Sequence, residues 1–360
     1  AFVSFFEAPC FAGWDGTVDS SFAGGDGTEK HPYQIATAGQ LARMAKIINY
    51  GSEDSGSYEL VSDIVINDSV LTPNGKLVAD YEGLRYWTPI GDDEYKHLRS
   101  GETFNGNGHT VSGIYIPYLS DSYKGLFGYC EGRVQNVKVK DSYIGGIRYI
   151  GGICGYAYND TISEVSFSGV IDGSESEIGG ICGKSDRAVI RNAVFSGSVT
   201  GKTHAVGGIC GWNDGGRITR ALNSGSVTGD YAIVGGICGN NSGVVEDVLN
   251  VGPVRGGVQN TGGICGLNFV GFLARAVNAG PVFGGDDSGG LCGYSSNYGS
   301  VHNGYGDVQS SVALVGPGET NPDSQFVYGF FVSGMTGDAL RDSLGDSSWV
   351  YGEGLYPRPK

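Results

Sequence analysis

The chain has 360 residues, with 23 Lys and Arg against 38 Asp and Glu. The net charge of −15, with no basic stripe to offset it, disfavours nucleic acid and anionic membranes as partners. Charged residues make up 17% and hydrophobic ones 40%, enough for a continuous core and too apolar for a disordered tail. No run of about 18 apolar residues occurs, so membrane insertion is not expected. Glycine, at 65 residues, is far above the usual frequency yet lacks the third-position period of collagen, which points to a turn-rich all-β chain.

At the front, residues 1–10 are apolar but lack the basic start and small-residue cleavage site of a signal peptide. Thr37-Ala38-Gly39-Gln40 forms a capping box, and Leu41, Met44, Ala45 and Ile48 follow at helical spacing. A short amphipathic helix is expected from about Ala38 to Tyr50, lying across one end of whatever follows. Two strand-like stretches come next, Tyr58 to Ile66 and Thr103 to Ile116.

Gly151-Gly152-Ile153-Cys154-Gly155 then returns at Gly179, Gly207, Gly235, Gly262 and, with Leu for Ile, at Gly289. The cysteines fall at 154, 182, 210, 238, 265 and 292, in steps of 28, 28, 28, 27 and 27, and a degenerate copy begins at Gly125. A second half recurs as Ala221-Leu222-Asn223, Val248-Leu249-Asn250 and Ala276-Val277-Asn278. Short apolar runs broken by Gly, Asn, Asp and Ser, at a fixed period and without helical spacing, define one coil of several short strands per repeat. The expected fold is therefore an all-β parallel β-helix, or β-solenoid, of about seven coils of 27–28 residues, about 34 Å long at ~4.8 Å per coil. Stacking in register places Cys154, Cys182, Cys210, Cys238, Cys265 and Cys292 in one ladder headed by Phe127. The preceding Ile residues form another, expected on the opposite face by strand alternation.

This spacing bears on the cysteines. In-register side chains project in parallel, so the ladder predicts stacked, buried, reduced thiols in preference to a disulfide framework. Cys10 and Cys130 stand outside the ladder, and a link between them is open. Zinc would need Cys or His at short spacing, which does not occur, so no metal and no cofactor are expected.

At the back the repeat dissolves after Tyr305. Met335 to Leu344 has helical character, and Trp349 with Tyr356-Pro357 forms a closing aromatic cap. The organisation is one continuous domain: an N-terminal cap and first strands over 1–120, repeats over 121–306, and a C-terminal cap over 307–360.

Two kinds of functional residue can be nominated. Parallel β-helices can carry paired carboxylates for polysaccharide cleavage. Asp286-Asp287 is the best pair, although its turn matches the polar Gln259-Asn260 one coil earlier. His204 lies in the equivalent turn of another coil and is expected to be exposed, and His302 has no obvious acidic partner in sequence. The position after each block holds Tyr156, Lys184, Trp212, Asn240, Leu267 and Tyr294, so stacking displays aromatic rings down one side. Tyr156, Trp212 and Tyr294 are the candidate binding residues, with coverage of strand edges as the plain alternative.

The Gly-Gly-Ile-Cys-Gly blocks with downstream Asn-Ser-Gly-Ser-Val resemble the GLUG repeat of bacterial surface proteins and large immunoglobulin A1 peptidases. Phe22-Ala23-Gly24-Gly25-Asp26-Gly27-Thr28, Trp87-Thr88-Pro89-Ile90-Gly91 and Phe104-Asn105-Gly106-Asn107-Gly108-His109 are similar to the lead-in of such proteins, and Trp349 with Tyr356-Pro357 to their ending. The resemblance covers about residues 14 to 357 and implies an exported, often cell-surface β-solenoid without catalytic residues. The chain lacks the His-Glu-x-x-His of a zinc peptidase, and departs from the usual pattern in its repeated Cys. The expected function is an extracellular or cell-surface adhesion or display module, binding host or microbial glycans or proteins without catalysis. A polysaccharide lyase or glycoside hydrolase on the same scaffold is the alternative.

Overall fold

Residues one repeat apart stand beside one another on adjacent parallel strands in the computed structural model. It describes residues 13–51, 56–118, 122–285, 287–296, 298–307 and 325–330, with Leu344, 349–350 and 358–359. A representative turn runs through Cys182–Asp186, Val189–Phe195 and Ser198–Gly207, and the next through Cys210–Asp214, Arg217–Asn223 and Ser226–Gly235. The cysteine-block strands, with Phe127–Cys130 at their head, form a seven-stranded parallel sheet in chain order.

The solenoid is longer than the block count. One column runs Tyr33, Tyr58, Phe104, Val134, Ile162, Ile190, Ile218, Val245, Leu273 and Val301. Gln325–Phe330 adds a further parallel strand beyond Ser300–Asp307. The stack thus has about nine turns, not seven. The first turns were hidden because large aromatics, Tyr58 and Phe104, fill the interior there without any Gly-Gly-Ile-Cys-Gly block.

A helix, α1 (Ala38–Tyr50), follows the first strand Tyr33–Ile35 directly. The Thr37 hydroxyl accepts from Gln40 N–H at 3.1 Å and Gln40 Oε1 accepts from Ala36 N–H at 2.7 Å, which satisfies donors the first turn leaves open. Gly51 ends the helix in the left-handed region, φ 69°. Leu41, Met44, Ala45 and Ile48 join the same core as Ile35, Tyr58 and Phe104, so α1 closes this end of the stack.

The two glycines of each block have separate causes. A Cβ on Gly179 would lie 2.0 Å from the Cys182 carbonyl oxygen, so the corner into the strand closes only without one. A Cβ on Gly180 would lie 2.5 Å from the Phe195 ring, and one on Gly236 2.6 Å from the Asn250 amide: the second glycine makes room for the column inside the next corner.

The Ile and Cys columns do not lie on opposite faces. Ile153, Ile181, Ile209, Ile237, Ile264 and Leu291 are fully buried, and so are all six ladder cysteines. Strand alternation fails because two successive N–H groups, those of Ile153 and Cys154, both donate to the Ile181 carbonyl, at 3.0 and 3.1 Å. The pattern repeats at Ile181 and Cys182 onto Ile209, and down the stack. Such a bulge rotates the chain and turns consecutive side chains inward.

Candidate functional site

Each ladder cysteine is an unpaired, buried thiol. Its Sγ donates to the carbonyl two residues on: Cys154 to Tyr156 at 3.1 Å, Cys210 to Trp212 at 3.3 Å, Cys292 to Tyr294 at 3.0 Å. Burial pushes the Cys154, Cys182, Cys210 and Cys265 thiols well above the ordinary thiol range. At Cys238 burial again opposes the thiolate, while hydrogen bonds from the Cys210 and Cys265 thiols favour it. The column is chemically sequestered packing. Cys130 is likewise a buried free thiol, donating to Gly132 O at 2.8 Å, and Cys10 lies outside the described residues.

Tyr156, Trp212 and Tyr294 occupy the outer column that register assigned them, with Tyr129 above and Lys184, Asn240 and Leu267 between. All three are half-buried. Tyr156 stacks on Tyr129 with ring centroids 4.9 Å apart and planes at 7°, and its hydroxyl donates to Asp186 at 2.8 Å. Lys184 Nζ sits 4.2 Å from the Trp212 ring centre and 2.9 Å from Asp214. The rings are therefore held by neighbours one turn away, and one face of Trp212 is covered by an ammonium. Tyr294 sits beside Leu267 at the far end of this column.

Asp287 is exposed, and its carbonyl accepts from Thr261 N–H at 2.9 Å; Asp286 lies outside the described residues. His204 is exposed at a left-handed corner, φ 60°, and His302 packs its ring 5.1 Å from Phe272. Among the described residues, Asp287, His204 and His302 are not brought beside one another. No group of three or more His, Cys, Asp or Glu able to hold a metal occurs among the described residues.

Two further surfaces were not foreseen. Corner residues Asn136, Glu164, Asn192, Arg220, Asp247, Arg275 and Asn303 all have left-handed backbone and form a polar column. Within it Arg220 Nε donates to Asn192 at 2.6 Å, and Arg275 binds Asp247 at 2.7 and 2.9 Å and Glu246 at 3.0 Å. On the outer side of the adjacent strands, Leu249, Val277 and Tyr305 stand in register beneath Leu344 and Trp349, which are also buried. Trp349–Val350 pairs antiparallel with Arg358–Pro359, so this segment covers a flank of the stack. Residues 335–343, Tyr356 and Pro357 lie outside the described residues.

A surface groove of about 460 Å³ lies at the helical end, between α1 and the segments carrying Trp14 and Trp87. Sequence reasoning missed it because its residues belong to no repeat. The available signal was that both tryptophans fall outside the repeated blocks.

No model of a known protein family matches the chain. A protein of Evansella cellulosilytica, provisionally named a Gly-rich membrane protein, is 34% identical over 149 residues, 40% of this chain and 15% of that protein. Halomucin of Haloquadratum walsbyi is 27% identical over 162 residues, 44% of this chain and 2% of its own length. The matched segments are thus a small part of both relatives. Similarity in shape extends much further. The crystal structure of a protein from Bacteroides ovatus, provisionally assigned as an immunoglobulin A1 protease, aligns over 95% of this chain and 98% of its own, with a TM-score of 0.57 and 17% identity. That likeness concerns the fold.

Proposed function

We propose that the chain is a non-catalytic adhesion or display module, exposed at the cell surface or secreted, that presents a rigid rod to glycans or proteins. The observation that carries this reading is where the repeated side chains go. Cysteines, isoleucines and the Asn223–Asn250–Asn278 ladder, bonded at 2.7 and 2.8 Å, are consumed in the interior. Outer aromatic and charged columns bond mainly from turn to turn, so repetition builds stiffness and register. The names of the relatives, a Gly-rich membrane protein and a halomucin, agree with an exposed location. The protease name of the structural neighbour attaches to that protein, and this chain contains no His-Glu-x-x-His.

Protease treatment of intact cells that strips the chain without lysis supports surface exposure, and protection until lysis contradicts it. An array of host and microbial glycans and host proteins then tests adhesion, and no ligand on either set would leave a spacer. The carbohydrate-cleaving alternative rests on the Asp286-Asp287 pair, of which Asp287 is exposed. Any depolymerising activity lost in Asp287→Ala would restore it.

A further inference from the structure

We infer that the groove beside α1 is a binding site for an acidic saccharide, one sugar ring seated on aromatic side chains with its carboxylate paired to Lys46. This deepens the adhesion reading and rests on it.

Trp87 is buried and forms the floor, with Trp14 edge-on against it at 6.5 Å and 64°. Both indole N–H groups are already engaged, Trp14 Nε1 donating to Thr17 O at 2.7 Å and Trp87 Nε1 to Leu126 O at 3.2 Å. Trp14, which stays partly accessible, therefore offers a ligand apolar ring surface and no hydrogen bond. That surface suits the C–H face of a pyranose. The wall opposite is α1, where Ala42 and Ala45 leave space and Lys46 and Tyr50, one turn apart, project from the rim.

The polar groups at the rim are uncommitted. Lys46 is exposed and has no ion pair among the described residues, and the Tyr50 side chain is 81% exposed. Thr88, also exposed, adds a hydroxyl on the far side. In a chain of net charge −15, the one charged side chain lining this aromatic groove is a lysine. It selects for a ligand carrying one negative charge beside an apolar face. The volume is in the range of small-ligand sites. By contrast, in the repeat Tyr156 stacks on Tyr129 with its hydroxyl bound to Asp186, and one face of Trp212 is covered by Lys184.

The test is calorimetric titration of the full chain with trigalacturonate, a sialyllactose and a hyaluronan tetrasaccharide, each beside a neutral counterpart. At least one acidic sugar should bind more tightly than its neutral partner. Lys46→Gln should erase that preference, roughly tenfold, and leave the neutral sugar unaffected. Tyr50→Ala should weaken both. These positions are exposed, so both variants should keep the wild-type circular dichroism. The assignment is overturned if none of the acidic sugars binds, or if binding survives both changes. It is also overturned if binding appears only after removal of residues 1–11, which would make the chain's own first residues the occupant. Such failures leave the surface reading standing, because protease exposure on cells is a separate measurement.

Discussion

Trp349 Nε1 lies 3.3 Å from Asp247 Oδ1, a bond that ties the last described segment to a corner of the stack 102 residues earlier. Asp247 is itself gripped by Arg275, whose guanidinium is held charged by this carboxylate. The same tryptophan covers Leu249, Val277 and Tyr305, so one side chain both shields an outer apolar stripe and closes a charged network.

Trp349→Ala should therefore cost about 3–5 kcal/mol of the docking free energy of this segment. The expected signature is local: faster amide exchange at 349–350 and increased binding of a hydrophobic dye, with the β-sheet spectrum unchanged. Trp349→Phe should lose only the hydrogen bond, about 1 kcal/mol.

The thiol ladder predicts a sharp contrast in labelling. Without reductant, native protein should resist iodoacetamide at Cys154, Cys182, Cys210, Cys238, Cys265 and Cys292, because every one of these side chains is fully buried and closed to the reagent. Denatured protein should label at all six by mass. Absence of label after denaturation would mean disulfides.

Gly180→Ala should destabilise by about 1–3 kcal/mol or more, since the new Cβ meets the Gly208 carbonyl oxygen at 2.1 Å and Phe195 at 2.5 Å. Gly285→Ala is the matched control: its Cβ meets only the Gly257 carbonyl oxygen, at 3.4 Å, on an exposed turn. Chemical denaturation should separate the two clearly.

Burial raises the Glu177 carboxyl above its ordinary value of 4.5, against the opposing charges of His204, Lys184 and Arg148. A carboxyl with a raised folded pKa stabilises the fold below its unfolded pKa, and that contribution is lost as pH rises through the folded value. Glu177→Gln should consequently raise the melting temperature at pH 7, and the gain should fade as pH falls through the raised folded value towards 4.5. A gain that grew in acid would contradict the sign.

Legibility followed repetition. The blocks at Gly151 to Gly293 carried period, strand direction and register, because stacked copies must present like residues to like, and Thr37 with Gln40 carried the helix start. The turns built on Tyr58 and Phe104 were not countable, since large aromatics fill a turn without the glycine corner that marks the others. Alternation misplaced the Ile column because a bulge, where two N–H groups share one carbonyl, leaves no residue signature of its own. The groove was the least legible feature: Trp14, Lys46 and Trp87 come from three separate segments, and only folding brings them together.

The central claim is a single in-register stack, and Gln135 and His302 test it. They lie in one column six rungs apart, through Ser163, Arg191, Thr219, Glu246 and Ala274. Spin labels at these two half-buried positions, measured by double electron–electron resonance, should give one narrow distance of about 29 Å, at ~4.8 Å per rung. A broad distribution, or a principal distance above about 40 Å, would contradict the stack and the rod built from it.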